Sequence, residues 1–351
     1  MSPITMNEIA KLAGVSKSTV SRALHSPKLV NARTRHRILR LMEENRYVYN
    51  SAAAELSRRK PRTIGVLAPT TRRVGFGTTT LAIVEGADEY GLSVVLGNTR
   101  FDFETERRLL RRFQERHVGG LILTGFHEGQ EALVKELTSQ GIPIVITWDI
   151  LEDKDVSCVG FDNYKAACVA MEYLIGLGHR RIGLIVGPYT KMRRIRRRFE
   201  GYRESLDRHG IPFEPSLVAE REPSLISGRE AMGRLLSLPQ IPTAVFAAAD
   251  ELAIGAMAAA KEKGLRIPGD ISIVGFNDIE YASFCDPPLT TIRVPAYDMG
   301  QIALKVLTEM MARGPDAIGQ YRLDTDLIIR QSCGMISGDM QVHTPPDPGH
   351  P

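Results

Sequence analysis

Apolar positions along this chain follow two different rhythms, and the change between them comes near residue 62. Beyond that point, short runs rich in Val and Ile recur as TIGVLAP (63–69), LSVVLGN (92–98), GGLILT (119–124) and IPIVITW (142–148). Stretches of helical spacing near 78–90, 104–116 and 130–140 separate them. After VSCVGFD (156–162) the series repeats with RIGLIVG (181–187), TAVFAAAD (243–250) and ISIVGFN (271–277). Apolar strands alternating with helices imply parallel sheets covered on both faces. Two such series predict two doubly wound parallel-sheet subdomains of α/β type. Ligands of such sheets bind outside the carboxyl ends of the strands, here in the cleft between the halves.

Before residue 62 the spacing is helical and the segments are short. Thr5-Met6-Asn7-Glu8 reads as a capping box, a hydroxyl followed three residues later by a carboxylate. Ile9, Leu12 and Ala13 then form an apolar face. Gly14 ends this helix in a tight turn. Ser16 caps a second helix with Val20, Ala23 and Leu24 facing inward. ARTRHRILRLMEENRY supplies a third helix, with Ile38, Leu41 and Met42 as its core side. Two short helices joined by a tight turn and braced by a third make a helix-turn-helix unit, so the expected fold is an all-α head followed by the α/β body.

Charge sharpens this picture. The formal net charge is +4, but residues 1–62 carry 13 Lys and Arg against four acidic residues, so the head is +9 and the remainder −5. A small basic head on a mildly acidic body points to a nucleic-acid partner. The second helix of such a unit lies in the DNA major groove with its first side chains at base edges. Lys17 and Ser18 occupy that end, and Arg22 can offer a bidentate fork to guanine O6 and N7. Ser16, Thr19 and Ser21 are short donors suited to phosphates. The competing reading is an ordinary helical hairpin with a solvated basic surface; exposing this polar set beside that surface favours DNA.

Other classes find little support. With 351 residues the chain has room for two or three domains. It shows no early apolar run of leader type and no stretch long enough to span a bilayer, so a cytoplasmic location without a membrane partner is expected. Cys158, Cys168, Cys285 and Cys333 have no CxxC spacing, which suits reduced, mostly buried thiols. GxxxxGK[ST], GxSxG, HExxH and a full GxGxxG after a strand are all missing, and the histidines are dispersed. Neither cofactor nor metal is expected. A sugar-processing enzyme with a DNA-binding head lacks its nucleophile–base set. A transport binding protein lacks a leader and has no use for the head.

TMNEIAKLAGVSKSTVSRAL followed by NARTRHRILRLMEENRYVYNSAAAELS resembles the head of the lactose-repressor (LacI) family of bacterial transcription regulators. Ala13-Gly14-Val15-Ser16, Thr19-Val20-Ser21-Arg22, Thr34-Arg35, Tyr47, Asn50 and Leu56 carry the match. PPLTTIRVPAYDMGQIALKVL resembles the family segment that returns the chain to its first half, so the likeness runs from residue 4 to about 334. It implies a homodimer on a pseudo-palindromic operator, with DNA contacts at Thr5, Ser16, Lys17, Ser18, Thr19, Ser21, Arg22, Asn31, Thr34, Asn50, Ala53 and Leu56. It also implies a head over 1–49 and a hinge helix and linker over 50–61. The first body half is then 62–161 with 291–323, and the second 162–290 with 324–335. The chain is expected to cross between halves near 161, 290 and 323. In the hinge, Leu56 takes the position of the family's minor-groove wedge, a role consistent with an apolar side chain in a basic stretch. Tyr49 replaces a usual proline, and Glu55 adds a negative charge that Arg58, Arg59, Lys60 and Arg62 offset. The Pro-rich tail, 336–351, is expected to be disordered and has no leucine heptads.

By family position, the cleft candidates are Pro69, Thr70, Phe76, Thr124, Trp148, Asp149, Lys191, Arg193, Arg198, Ala249, Asp250 and Asn277. Arg198 matches the arginine before Gly-Tyr that grips the effector in relatives. Trp148 stacks on a sugar face or packs in the core. Asn277 stands where relatives have aspartate, and Ala249 where they have asparagine. KMRRIRRRF (191–199) is unusually basic; most of it reads as a solvated face, with Arg194 and Arg198 sharing one side at i,i+4 and one or two members reaching inward. The planar fork of arginine suits a carboxylate. GVSKSTVSR, VGFDNYKAA and GHRRI also resemble the gluconate-operon repressor branch. The expected effector is therefore a sugar acid, with a phosphosugar or neutral sugar as alternatives. Repression relieved by an inducer is the expected sign, and corepression the other.

Leu56→Ala is expected to weaken specific operator binding by about 1–3 kcal/mol while sparing random DNA. Fluorescence anisotropy on both duplexes checks this, and equal loss on the two would remove the wedge role.

Overall fold

The computed structural model describes residues 4–25, 27–47, 61–127, 129–151, 156–314 and 319–336. The expected hinge residues Asn50, Ala53 and Leu56 and the tail past 336 lie outside them. By internal contacts the chain divides into Met1–Pro61 and Arg62–Pro351.

The head has helices α1 (Met6–Leu12), α2 (Lys17–His25) and α3 (Ala32–Glu44). The capping box forms as read: the Thr5 amide donates to Glu8 Oε2 at 2.6 Å, and the Glu8 amide to Thr5 Oγ1 at 3.4 Å. Gly14 turns the chain at φ +60°, a conformation cheap only for glycine. Ser16 Oγ then accepts the Thr19 amide at 3.1 Å at the start of α2, and Asn31 caps α3 through the Arg33 amide at 3.0 Å. Ile9, Ala10, Ala13, Val20, Ala23, Ile38 and Met42 make one small core. Leu12 does not join it and is 56% exposed: Ile9, Ala10 and Ala13 take the buried face of α1, leaving Leu12 on its flank.

The body begins with β1 (Thr63–Ala68), α4 (Val74–Glu89), β2 (Ser93–Asn98), α5 (Phe103–Glu115), β3 (Leu121–Thr124), α6 (Glu131–Ser139), β4 (Ile144–Thr147) and β5 (Ser157–Gly160). A second series follows: α7 (Asn163–Gly176), β6 (Ile182–Val186), α8 (Arg193–Arg208), β7 (Val218–Glu220), α9 (Leu225–Leu235), β8 (Ala244–Ala247), α10 (Asp250–Glu262), β9 (Ser272–Asn277) and β10 (Thr290–Arg293). Helix α11 (Ala296–Arg313) returns to pack on α4 and on the first sheet, and β11 (Gln320–Arg322) and β12 (Asp326–Ile328) add one strand to each sheet.

The sheet orders are β11-β5-β4-β3-β1-β2 and β12-β10-β9-β8-β6-β7. Pairing is parallel throughout except for β12, which runs antiparallel to β10. Each order reverses beside its first strand, and such a switch point leaves a crevice at the carboxyl ends. Connections between halves fall at 161–162, 294–295 and 323–325. The second lies later than expected, because β10 pairs with β9 from Thr290↔Val274 to Arg293↔Asn277 and so belongs to the second sheet. Residues 291–293 therefore belong to the second half rather than the first.

Glycine sets the spacing of one helix pair. A Cβ on Gly255 of α10 would overlap the Leu225 carbonyl oxygen and stand 2.8 Å from the Arg229 amide nitrogen of α9. Backbone cannot swing aside as a side chain can. Gly255→Ala is expected to cost ~1–3 kcal/mol through overpacking, read from urea unfolding of the intact chain; no change in midpoint would contradict the close crossing.

Candidate functional site

Two surfaces carry the chemistry, and each is built by its own unit. On the head, α2 exposes Lys17, Ser18 and Arg22 while Val20 and Ala23 are buried, so the polar set faces outward. Ser16 is exposed and hydrogen-bonds Ser18 and Thr19 at 2.7 and 2.8 Å. Thr19, Ser21 and Thr34 are half-buried. Thr5 and Asn31 are exposed, and their side chains cap α1 and α3. Arg33, Arg35 and Arg37 add exposed charge on α3. A rigid helix with a fork-bearing arginine and short hydroxyls on one side can read base edges and hold phosphates.

In the body, the two halves meet on a floor of aromatic rings. Phe76 and Trp148 stand edge to face at 4.8 Å, Trp148 and Phe161 at 6.1 Å, and Phe161 and Phe276 are tilted at 6.1 Å. Trp148 follows β4 with φ +69°, a backbone conformation that costs a bulky residue on the order of 1–3 kcal/mol. Its surroundings hold it there. Trp148 Nε1 donates to Thr79 Oγ1 at 3.0 Å, and its carbonyl accepts Asn163 Nδ2 at 3.0 Å. Asn163 Oδ1 in turn accepts Arg198 Nε at 2.9 Å, and Arg198 Nη1 donates to the Ala248 carbonyl at 2.8 Å. The Arg198 guanidinium lies 3.7 Å over the Phe276 ring. A polar chain thus crosses from the first half to the second at the Trp148 carbonyl and ends on a buried cation.

Above the floor is a cavity of about 40 Å³ with Arg73, Phe76 and Trp148 on one side and Arg194, Arg198, Asn277 and Glu251 on the other. That volume holds a few waters. A cleft of about 570 Å³ adjoins it through Arg73, Pro223 and Glu251 and adds Thr70, Arg72 and Arg100 to the wall, a size that suits a small molecule. Arg73 Nη2 pairs with Glu222 Oε2 at 3.2 Å across the halves. Burial lowers Arg194 to about 10 and, with help from the charge of Arg194, Arg198 to about 9.

Of the residues expected in the cleft, Phe76, Trp148, Arg198, Ala249 and Asn277 line the cavity, and Pro69 and Thr70 the adjoining cleft. Five others stand elsewhere. Asp149 is buried with Oδ1 accepting the Ile150 amide at 3.0 Å, and Arg193 reaches it at 3.8 Å. Arg193 lines a separate 110 Å³ pocket beside Phe126. Lys191 is exposed, and Thr124 is half-buried at the end of β3. Asp250 is fully buried: Thr291 Oγ1 donates to its Oδ1 at 2.6 Å and the Ile279 amide to its Oδ2 at 2.8 Å. Arg73, Glu251 and Asn163 were not anticipated. Arg73 had a visible signal, a basic pair just past the first strand. Asn163 had none, since its role depends on contacts with two distant segments, at Trp148 and Arg198.

Several titratable groups outside the cleft are held by burial and local hydrogen bonds. His179 is buried against Thr243, Ser272 and the Gly334 carbonyl at 3.0–3.2 Å. His127 and Glu106 pair at 3.4 Å, both buried, beside an antiparallel bridge from His127 to Met192 of the other half. Burial pushes Cys158 up to about 11 and Cys333 up to about 12, which keeps both protonated and unreactive. Among the described residues no metal-binding cluster occurs and no helix is long and apolar enough to cross a membrane.

Comparison with known proteins finds relatives of both the head and the body. A family model described as bacterial regulatory proteins, lacI family, matches residues 5–50, and one described as a periplasmic binding protein-like domain matches residues 171–333. The HTH-type transcriptional repressor CytR of Escherichia coli (strain K12) is 35% identical over 328 residues, 93% of this chain and 96% of that one. A structure of the lac repressor dimer bound to operator and the anti-inducer ONPF has a TM-score of 0.83 at 30% identity, covering 95% of this chain and 99% of its own. A complex of the transcriptional regulator CelR with cellobiose has a TM-score of 0.69 at 29% identity, with 94% and 99% covered.

Burial sets a testable pH dependence. It holds Asp250 up to about 7 and Asp149 up to about 6, against an ordinary 3.8. A carboxyl whose pKa is raised by folding adds stability below its unfolded pKa and loses it as pH rises through the folded value. Asp250→Asn can still accept from Ile279 and donate to Thr291. The variant is expected to lose less stability than wild type between pH 4 and 8. Urea midpoints across that range check this, and parallel profiles would contradict it. Burial lowers His179, which acts in the opposite direction in both proteins.

Proposed function

We propose, from the premise that this chain belongs to the lacI family of bacterial regulatory proteins, that it represses transcription as a homodimer on a pseudo-palindromic operator and releases it when a small carbohydrate-type effector, a sugar acid, enters the cleft. The chain is a DNA-binding transcriptional regulator and not an enzyme. The observation that carries the effector class is the convergence of Arg73, Arg194 and Arg198 on one cavity whose wall holds a single carboxylate, Glu251. The complex of a relative with cellobiose supports a carbohydrate in the equivalent body, and the excess of arginine selects an acidic one.

On the operator, Lys17, Ser18 and Arg22 meet base edges and Ser16, Thr19, Ser21, Thr5, Asn31 and Thr34 hold the backbone. Two-fold symmetry of the protein requires two-fold symmetry of the site. Exposed apolar side chains in both halves offer the surface for a second copy: Leu81, Val84 and Leu96 in the first, Leu225, Ile226 and Phe284 in the second. Because the cleft is walled by both halves, a bound effector changes the angle between them. Effector and operator affinities are then coupled reciprocally.

Mobility-shift titration on a dyad operator tests this reading. Gluconate is expected to weaken operator binding without being consumed. Arg22→Ala is expected to relax base choice at one position per half-site, with a loss of about 1–3 kcal/mol on the preferred sequence. Uniform loss on all sequences would make Arg22 a phosphate contact.

A further inference from the structure

Among the residues lining the cavity between the halves, four side-chain atoms are buried and have no hydrogen-bond partner: Arg194 Nη1 and Nη2, Asn277 Oδ1 and Glu251 Oε2. Buried polar groups are nearly always paired, and each exception has a reason. Two of these are adjacent donors on one cation; the other two are acceptors on the opposite strand end and helix start. We infer that Arg194, rather than Arg198, reads the anionic end of the effector, while Asn277 and Glu251 take hydroxyl donors from its other end. This deepens the reading of the cleft as an effector site and rests on it.

Arg198 is poorly placed for that task. Its Nε and Nη1 are committed to Asn163 and the Ala248 carbonyl, and its plane is stacked on Phe276. It is a strut within the second half, tying α8 to α7 and to the ends of β8 and β9. Arg194 makes the opposite case. It stands on α8 in the second half, yet its guanidinium rests on the first half, against the backbone of Gly125 and 5.2 Å over the Phe76 ring. Only 2% of the residue is exposed. Gly125 has φ +84° and a Cβ there would collide with Nη1, so the backbone is shaped around this cation.

Among the nearby carboxylates Glu222 pairs with Arg73, and Asp149 acts on Arg194 through its charge but makes no hydrogen bond to it. A carboxylate or phosphate in the cavity would accept from both terminal nitrogens of Arg194 at once, the bidentate geometry that arginine favours. A neutral sugar could satisfy Asn277 and Glu251 but would leave the cation unpaired. The matching ligand is thus a polyhydroxylated anion. Because Arg194 belongs to one half and rests on the other, that anion also ties the halves together. Without it, a buried and unpaired cation is a standing cost to the fold.

Thermal unfolding of the full chain tests this with sodium gluconate, glucose 6-phosphate and glucose, at ionic strength matched with sodium chloride. Gluconate or glucose 6-phosphate is expected to raise the wild-type Tm by roughly 5 °C at a hundredfold excess over Kd, and glucose by less. The stronger of the two anions identifies the anionic group as carboxylate or phosphate. Arg194→Met is expected to melt higher than wild type without ligand and to lose the anion-dependent rise. Arg194→Lys, which keeps the charge without the fork, is expected to retain part of the rise. An undiminished anion effect in Arg194→Met would overturn the assignment to Arg194. Equal stabilisation by glucose would overturn the anionic class while leaving the cleft as effector site. No shift with any of the three probes would overturn both.

Discussion

The guanidinium of Arg198 is fully buried where the two halves of the body meet, and most of the cleft is organised around it. A cation there is tolerable only because Asn163 and the Ala248 carbonyl accept from it and the Phe276 ring faces it. Asn163 can serve only because its amide is oriented by the Trp148 carbonyl. Trp148 in turn keeps its left-handed backbone because Thr79 and Asn163 bind its polar groups and Phe76 and Phe161 pack its ring. Removing any one member exposes the next to an unpaired polar group or a void. The floor of the cleft is therefore the stiff part of the body.

The walls are less settled. Arg194, Glu251 and Asn277 each leave a buried polar atom without a hydrogen-bond partner. These are costs that packing alone would remove by apolar substitution. Retaining them makes sense if a ligand supplies the missing partners, because stability withheld from the empty state becomes differential affinity for the occupied one. A rigid floor with unsatisfied walls leaves room for a small molecule to bias how the halves close.

The sequence by itself determined the class of each part. Period-two and period-3.6 patterns are local properties of the chain, so the alternating series, the capping box at Thr5 and Glu8 and the polar start of α2 were legible without coordinates. The strands β7, β11 and β12 were not, since three residues each are too few to show alternation. The placement of β10 was missed because its assignment depends on pairing with β9, a non-local choice. The same limit applied to the cleft. A run of arginines announces charge, but which of them is committed, which is free and which is solvated follows from contacts between segments far apart in the chain. Arg198 and Arg194 are one helical turn apart and look alike in sequence. Only tertiary packing, which sets Asn163, Ala248 and Phe276 around one and Gly125 and Phe76 around the other, makes the first a strut and leaves the second with its donors unpaired.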